Sequence, residues 1–151
     1  MAKNIPQDAN YQNKVKESFE KQTLMTTLKA SLKEVSPGKV IIEIPYSKEF
    51  TQQNGFIHAG VITSIVDTAC GYAAFSLFPP DFDVLTIEFK INFLSPAIGT
   101  KFQAHGRVNK SGRTISVTNG EVYAITDKEE KLIATMMATM MAISPNHQQK
   151  N

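Results

Sequence analysis

The spacing of apolar positions changes character four times along the chain, and each change predicts an element. Tyr11, Val15, Phe19, Met25, Leu28 and Leu32 recur at helical intervals with Lys and Glu between them. That pattern predicts one amphipathic packing helix with Asn10 at its cap, so residues 1–35 form an N-terminal helical region. Residues 1–9 carry no period and are predicted to be loose. After Ser36-Pro37-Gly38, Val40, Ile42 and Ile44 fall on one side of Lys39–Ile44 before Pro45, a short first strand.

From Gly60 to Phe78 the pattern is small or apolar on nearly every side, and Pro79-Pro80 ends it. A helix of that composition is buried, which makes this segment the centre of the domain. Period two follows. Leu85, Ile87, Phe89, Ile91 and Phe93 alternate with Thr86, Glu88, Lys90 and Asn92, and Phe102, Ala104, Gly106 and Val108 alternate with Lys101, Gln103, His105 and Arg107. Lys110-Ser-Gly-Arg113 predicts a hairpin turn. In Thr114–Thr126 the apolar phase slips from Ile115 and Val117 to Val122 and Ala124, which predicts a bulge at Asn119-Gly120. Leu132–Ile143 is apolar on both faces, as a central strand is, with Met136, Met137, Met140 and Met141 as core material. Residues 144–151 read as a polar tail. The order gives a single α+β domain over 1–151, a long helix against an antiparallel sheet whose open edges favour an oligomer.

Composition narrows the function classes. The 151 residues are 42% hydrophobic and 20% charged, with a net charge of +2 and no block of like charges, so nucleic acid is not an expected partner. The one cysteine, Cys70, permits no internal disulfide and no Cys/His metal set. No leader-like segment opens the chain and no apolar run is long enough to span a bilayer, so the expected location is cytoplasmic, with no membrane partner.

The one formal charge between His58 and Pro80 is Asp67. At about 100° per residue, Gly60, Thr63, Ser64, Cys70, Gly71 and Ala74 fall within roughly 60° of it, while Val61, Ile62, Ile65, Ala69, Tyr72 and Ala73 fall opposite. A carboxylate on a small, polar face of a buried helix is either a functional acid with room for a ligand or an interface residue tied up by hydroxyls; both readings stand at this point. Asn54-Gly55 marks a loop that ends near His58. The amides of Ala59 and Gly60 are then free donors at a positive helix end, suited to an oxyanion.

His58-Ala59-Gly60 followed by Asp67 in Val-Asp-Thr-Ala resembles the hotdog-fold acyl-CoA thioesterases of the PaaI-like branch, marked by His-Gly-Gly at the start of the central helix and an acid about two turns on. The likeness extends over residues 36–143, and Ala59 replaces the first glycine of the pair. The resemblance implies a central helix wrapped by a curved antiparallel sheet of five to six strands, a dimer joined through a continuous sheet with active sites between protomers, and a tetramer of such units. It implies acyl-CoA as substrate and no cofactor. Asp67 becomes general base or nucleophile, and the Ala59 amide the oxyanion donor. Gln52 orients water or thioester, with Asn54 as a nearby substitute. His58 either holds the loop or acts directly, and Gly60 lies at the substrate. Thr86 and Thr63 are candidates for a hydroxyl beside the acid. Lys110, Gly112 and Arg113 match the region that meets the nucleotide end of CoA, although a turn rich in Lys and Gly also serves solubility. Two other readings share the fold: a 3-hydroxyacyl thioester dehydratase or hydratase using His58 and Asp67 as a proton-transfer pair, and a non-catalytic acyl-CoA sensor.

Overall fold

A computed structural model describes residues 4–148. The elements run α1 (Tyr11–Lys21), α2 (Thr23–Thr27), β1 (Ser31–Ser36), β2 (Lys39–Pro45), a 3-10 turn (Lys48–Phe50), α3 (Ala59–Phe75), β3 (Asp83–Phe93), β4 (Lys101–Ser111), β5 (Ile115–Ile125), β6 (Glu130–Ile143) and α4 (Pro145–Gln148). The strands form one six-stranded sheet in the order β1-β2-β4-β5-β6-β3, antiparallel throughout. This is the expected helix-and-sheet architecture, with α3 packed against β2 through β6.

Two glycines allow the sheet to close on the helix. Gly106 of β4 and Gly120 of β5 face each other in register. A Cβ at Gly106 would lie 2.3 Å from the Ala69 carbonyl, and one at Gly120 would lie 2.3 Å from Val66 Cγ2 and 2.8 Å from Cys70 Sγ. Such overlaps cannot be relieved without moving α3, so the small residues of the helix and the glycines of the sheet fix one close approach. Around that contact Ile42, Ile44, Ile62, Ile65, Val66 and Phe102 are fully buried.

The N-terminal segment departs from expectation. The helical spacing does not continue to Leu32: Lys29 turns left-handed (φ 55°), Ala30 N–H donates to Met25 O at 2.9 Å, and the chain leaves as strand β1. Leu32 and Val35 pair opposite Ile42 and Val40, because Pro37-Gly38 (φ 73° at Gly38) folds β1 back onto β2 and sheet pairing overrides helical periodicity. The strand beginning at Lys39 is therefore the second. Asn10 precedes α1 but does not cap it with its side chain, which instead accepts from Asn13 Nδ2.

Residues 4–9 are tethered rather than loose, while the reading of 1–3 lies outside the described residues. Gln7 Nε2 donates to Leu77 O at 3.3 Å, and buried Asp8 pairs with Lys14 at 3.6 Å. Lys14 Nζ donates to Phe78 O (2.9 Å) and Pro79 O (3.1 Å), so α1 satisfies carbonyls just beyond the end of α3. The tail begins with the short helix α4; 149–151 lie outside the described residues.

No bulge occurs at Asn119-Gly120, where β5 stays in register with both neighbours. The apolar phase slips because the inward row, Ser116, Thr118, Gly120, Val122, Ala124, begins with two buried hydroxyl residues. Irregularities lie at Val108/Lys110, Val122/Tyr123, Leu32/Glu34 and Thr86/Glu88.

Candidate active site

The start of α3 is held from both sides. His58 is non-helical (φ −59°, ψ 138°); its N–H donates to Phe50 O at 2.8 Å, and its Nδ1 accepts from Gly60 N–H at 2.8 Å. His58 is thus the side-chain cap of the central helix, the role that Ser or Asp fills elsewhere. The Gly60 amide is consumed by this cap and is not the free donor expected from sequence. The Ala59 amide, one residue earlier, has no hydrogen-bond partner among the described residues and is exposed. Ala59 does not have positive φ, so the methyl in place of glycine introduces no backbone strain.

Ala59 lines an open cleft of about 420 Å³ with Gln52, Phe56, Ile62, Phe93 and Leu94. Gln52 is held in its own turn: its N–H donates to Phe56 O at 2.9 Å and its Oε1 accepts from the Asn54 N–H. Asn54 itself is exposed in that turn.

Asp67 stands two turns further along α3, half-buried, on the wall of a second cleft of about 240 Å³ that it shares with Ser64, Thr68, Gly71 and Thr86. Thr86 Oγ1 donates to Asp67 Oδ1 at 2.9 Å. A bulge makes this contact. Strict alternation sets Thr86 on the opposite face from Phe89 and Ile91. The irregularity between Thr86 and Glu88 shifts the phase, so Thr86 faces inward opposite buried Met140, as Phe89 does opposite Ala138. Burial pushes the Asp67 carboxyl above the usual carboxylate range, and the Thr86 hydrogen bond opposes the shift. The nearby Cys70 thiol, beneath the helix, is pushed up to about 12 by burial and is not a nucleophile.

Asp67 and Thr86 are therefore brought together, as are Gln52 and Ala59, but the two pairs are not. Eight residues of helix separate Ala59 from Asp67, about 12 Å. Thr63 lines neither cleft; its hydroxyl donates to Ala59 O at 2.8 Å. Lys110, Gly112 and Arg113 also lie outside both: Lys110 is exposed near the end of β4, Arg113 is exposed in the β4–β5 turn, and the Gly112 N–H closes that turn on Ile115 O. That turn is at the Thr86 end of the sheet, since Ile115 and Leu85 both pair with Met141. The cleft also contains residues the sequence did not mark. Ser64 lay on the Asp67 face of the helical wheel. Tyr72, which the helical wheel places on the side away from Asp67, lines the same cleft, and Gln22 gave no signal because it reaches Tyr72 only through the break between α1 and α2.

A family profile described as the Thioesterase superfamily matches residues 54–131, which include the Ala59 cap region, Asp67 and Thr86. The chain belongs to the thioesterase superfamily. A thioesterase family protein of Silicibacter pomeroyi is 48% identical, with a TM-score of 0.88 over 89% of this chain and 98% of that one. A protein of Saccharolobus solfataricus named as an esterase is 39% identical over 84 residues, and the match spans 56% of this chain and 59% of that protein. Acyl-coenzyme A thioesterase 13 of Homo sapiens is 30% identical over 108 residues, 70% of this chain and 74% of that enzyme. The hotdog resemblance stands: six antiparallel strands around one 17-residue helix, in a family of thioester hydrolases. Among the described residues no helix is long and apolar enough to cross a membrane.

Proposed function

We propose that the protein hydrolyses an acyl-CoA thioester to free acid and CoA at a site shared by two copies of the chain. The observation that carries the reading is Asp67: one carboxyl on an otherwise uncharged helix, raised by burial, hydrogen-bonded to Thr86 and open to a cleft. The likeness to an enzyme named as an acyl-coenzyme A thioesterase supports CoA as the carrier.

The edge strand supports the sharing of the site. β3 has no neighbour on its outer side among the described residues, and Leu85, Ile87, Phe89 and Phe93 are 42–58% exposed. Two copies pairing β3 antiparallel about a two-fold axis close this open edge and flank its exposed apolar side chains, which lie on both faces of the strand. The same pairing sets the Thr86 end of one strand beside the Phe93 end of the other. Asp67 of one protomer then approaches Ala59 and Gln52 of the partner subunit, joining the acid cleft to the amide cleft. A tetramer follows if two such dimers associate. The buried single cysteine suits a reducing, cytoplasmic setting.

In this arrangement the thioester oxygen accepts from the Ala59 amide at the positive end of α3, which stabilises the charge that develops as the carbonyl is attacked. Asp67 either takes a proton from the attacking water or itself attacks the carbonyl to give an anhydride that water then opens. Either way the C–S bond breaks and CoA leaves as thiolate and is protonated. In the first route water supplies the new carboxyl oxygen directly; in the second water opens the anhydride at the aspartyl carbonyl, so the acid leaves with an Asp67 oxygen and the water oxygen stays on Asp67. Gln52 orients the water or the thioester, Thr86 fixes the carboxylate, and His58 positions the Ala59 amide. Lys110 and Arg113, at the same end of the sheet as Thr86, supply cations for the CoA phosphates, with Gly112 shaping their turn.

Thiol release from a panel of acyl-CoAs by the native protein and by Asp67→Asn tests the reading. Release that depends on Asp67 supports it; equal release by both removes Asp67 from the chemistry. Labelled water in a single turnover, with label sought in the Asp67 carboxylate, separates attack from base catalysis.

A further inference from the structure

The Asp67 cleft has a distal end that the hydrolysis itself does not need. One turn beyond Asp67, about 6 Å along α3, Gly71 sits in the helix interior, where glycine costs about 0.5–1 kcal/mol relative to alanine. A Cβ at Gly71 would meet nothing within 4 Å, in contrast to Gly106 and Gly120, so this glycine is not required by packing and instead leaves space. Tyr72, Gln22 and Leu24 line the same cleft as Gly71. The Tyr72 ring is wedged between Phe19 and Phe75, with centroids 6.3 and 6.0 Å away, and its hydroxyl meets Ser18 Oγ at 3.1 Å and accepts from Gln22 Nε2 at 2.9 Å. Gln22 is fixed by its place in the chain: it is the extended residue (φ −77°, ψ 99°) between α1 and α2, its N–H bonded to Phe19 O and its carbonyl accepting from Met25. Its Oε1 has no hydrogen-bond partner among the described residues and is not sealed from solvent, and Gln22 itself lines the cleft.

We infer that Gln22, held by Tyr72, is a specificity-determining residue that recognises a hydrogen-bonding group at the distal end of a compact acyl chain. This rests on the thioesterase reading above. At 240 Å³ the cleft has room for roughly eight water-sized groups, which suits a short acyl group. An alkyl end driven against Gln22 Oε1 strips its water and offers no donor, whereas a terminal hydroxyl donates to it. A site that presents a fixed polar partner discriminates against the analogue lacking the matching group, by roughly tenfold for one neutral hydrogen bond.

The test compares kcat/KM for hexanoyl-CoA and 6-hydroxyhexanoyl-CoA, and for the butanoyl and 4-hydroxybutanoyl pair, in the native protein, Gln22→Leu and Gln22→Glu. Each ratio is taken on one preparation, so it is independent of how much of a variant is folded. The expected result is a roughly tenfold preference for one hydroxyacyl partner, lost in Gln22→Leu and kept in Gln22→Glu, which retains an acceptor. Turnover with no hydroxyl preference, or a preference that survives Gln22→Leu, overturns the inference and leaves the hydrolase standing. Absence of turnover for every ester sinks the hydrolase reading instead. The same ratio is then read as Kd by calorimetry with the non-hydrolysable thioether analogues of the two pairs, where equal affinities overturn the inference as well.

Discussion

The two clefts along α3 are opposites. The one at the helix start holds a free amide and Gln52 among Phe56, Phe93 and Leu94, with no acid in its lining. The one in mid-helix holds a raised carboxyl and a ring of hydroxyls, with no free helix-end amide. The first can stabilise an oxyanion and the second can deliver or activate a nucleophile, but about 12 Å of helix keeps them from serving one carbonyl. The exposed β3 edge lies between them and touches both, through Phe93 at one end and Thr86 at the other. On the proposed reading, then, each chain contributes two half-sites, and pairing about β3 is the simplest symmetry operation that would make them whole.

The largest expected effect comes from removing the acid. Asp67→Asn lowers kcat by roughly a thousandfold or more, read by thiol release. The same variant is more stable at neutral pH. A raised native pKa means the folded state holds this proton more tightly than the unfolded chain does. Stability is therefore fullest below the unfolded pKa and declines as pH rises through the native one. Asparagine abolishes that decline, so the melting temperature at pH 7 increases while activity collapses.

Ala59→Pro attacks the other half-site. Proline at the first helical position is tolerated, the preceding His58 already has ψ 138°, and the only group lost is the amide hydrogen. The expected loss in kcat is about a hundredfold to a thousandfold. Mixing this variant with Asp67→Asn under exchange of subunits sharpens the comparison. Each mixed dimer then carries one intact site and one doubly damaged site, so random pairing restores roughly a quarter of native activity. If the mixture stays as inactive as its parents, the two clefts do not meet across protomers.

How much of this was readable beforehand depends on what each residue's placement rests on. Asp67 and the helix start were legible because a lone charge on an apolar helix and a loop before it are local features. The sheet was legible wherever apolar residues alternated. Thr86 was not legible by alternation: one extra residue at Ile87 reverses the face of everything before it, and nothing in the local sequence announces it. Ser116 and Thr118 misled in the opposite direction, since buried hydroxyls that are satisfied, as Thr118 is by Ala138 O at 3.2 Å, look like an outer face. Leu32 followed a helical period that a hairpin overrode. Gln22 and Tyr72, 50 residues apart, meet only through tertiary packing.

A smaller effect separates positioning from chemistry within the acid cleft. Thr86→Val keeps the shape of the side chain and removes the donor, so kcat/KM falls by roughly tenfold. The hydrogen bond stabilises the ionised carboxylate, hence its loss raises the Asp67 pKa further. The acidic limb of the kcat/KM profile, already above the usual carboxylate range in the native protein, therefore moves to higher pH in Thr86→Val. An acidic limb that does not move detaches Thr86 from the ionisation of Asp67.

The smallest effect probes the amide cleft without touching its donor. His58 caps α3 by accepting from Gly60 N–H, and loss of such a cap costs about 1 kcal/mol of stability. His58→Ala should lower the urea midpoint accordingly and reduce kcat by only a few-fold, because the Ala59 amide remains but the turn presenting it loosens. His58→Asn restores a capping acceptor and should recover both quantities together. A direct proton-transfer role makes the opposite demand, since asparagine cannot titrate and would leave kcat low while stability returns. Parallel recovery thus assigns His58 to the geometry of the helix start, and a split between stability and rate assigns it to the chemistry.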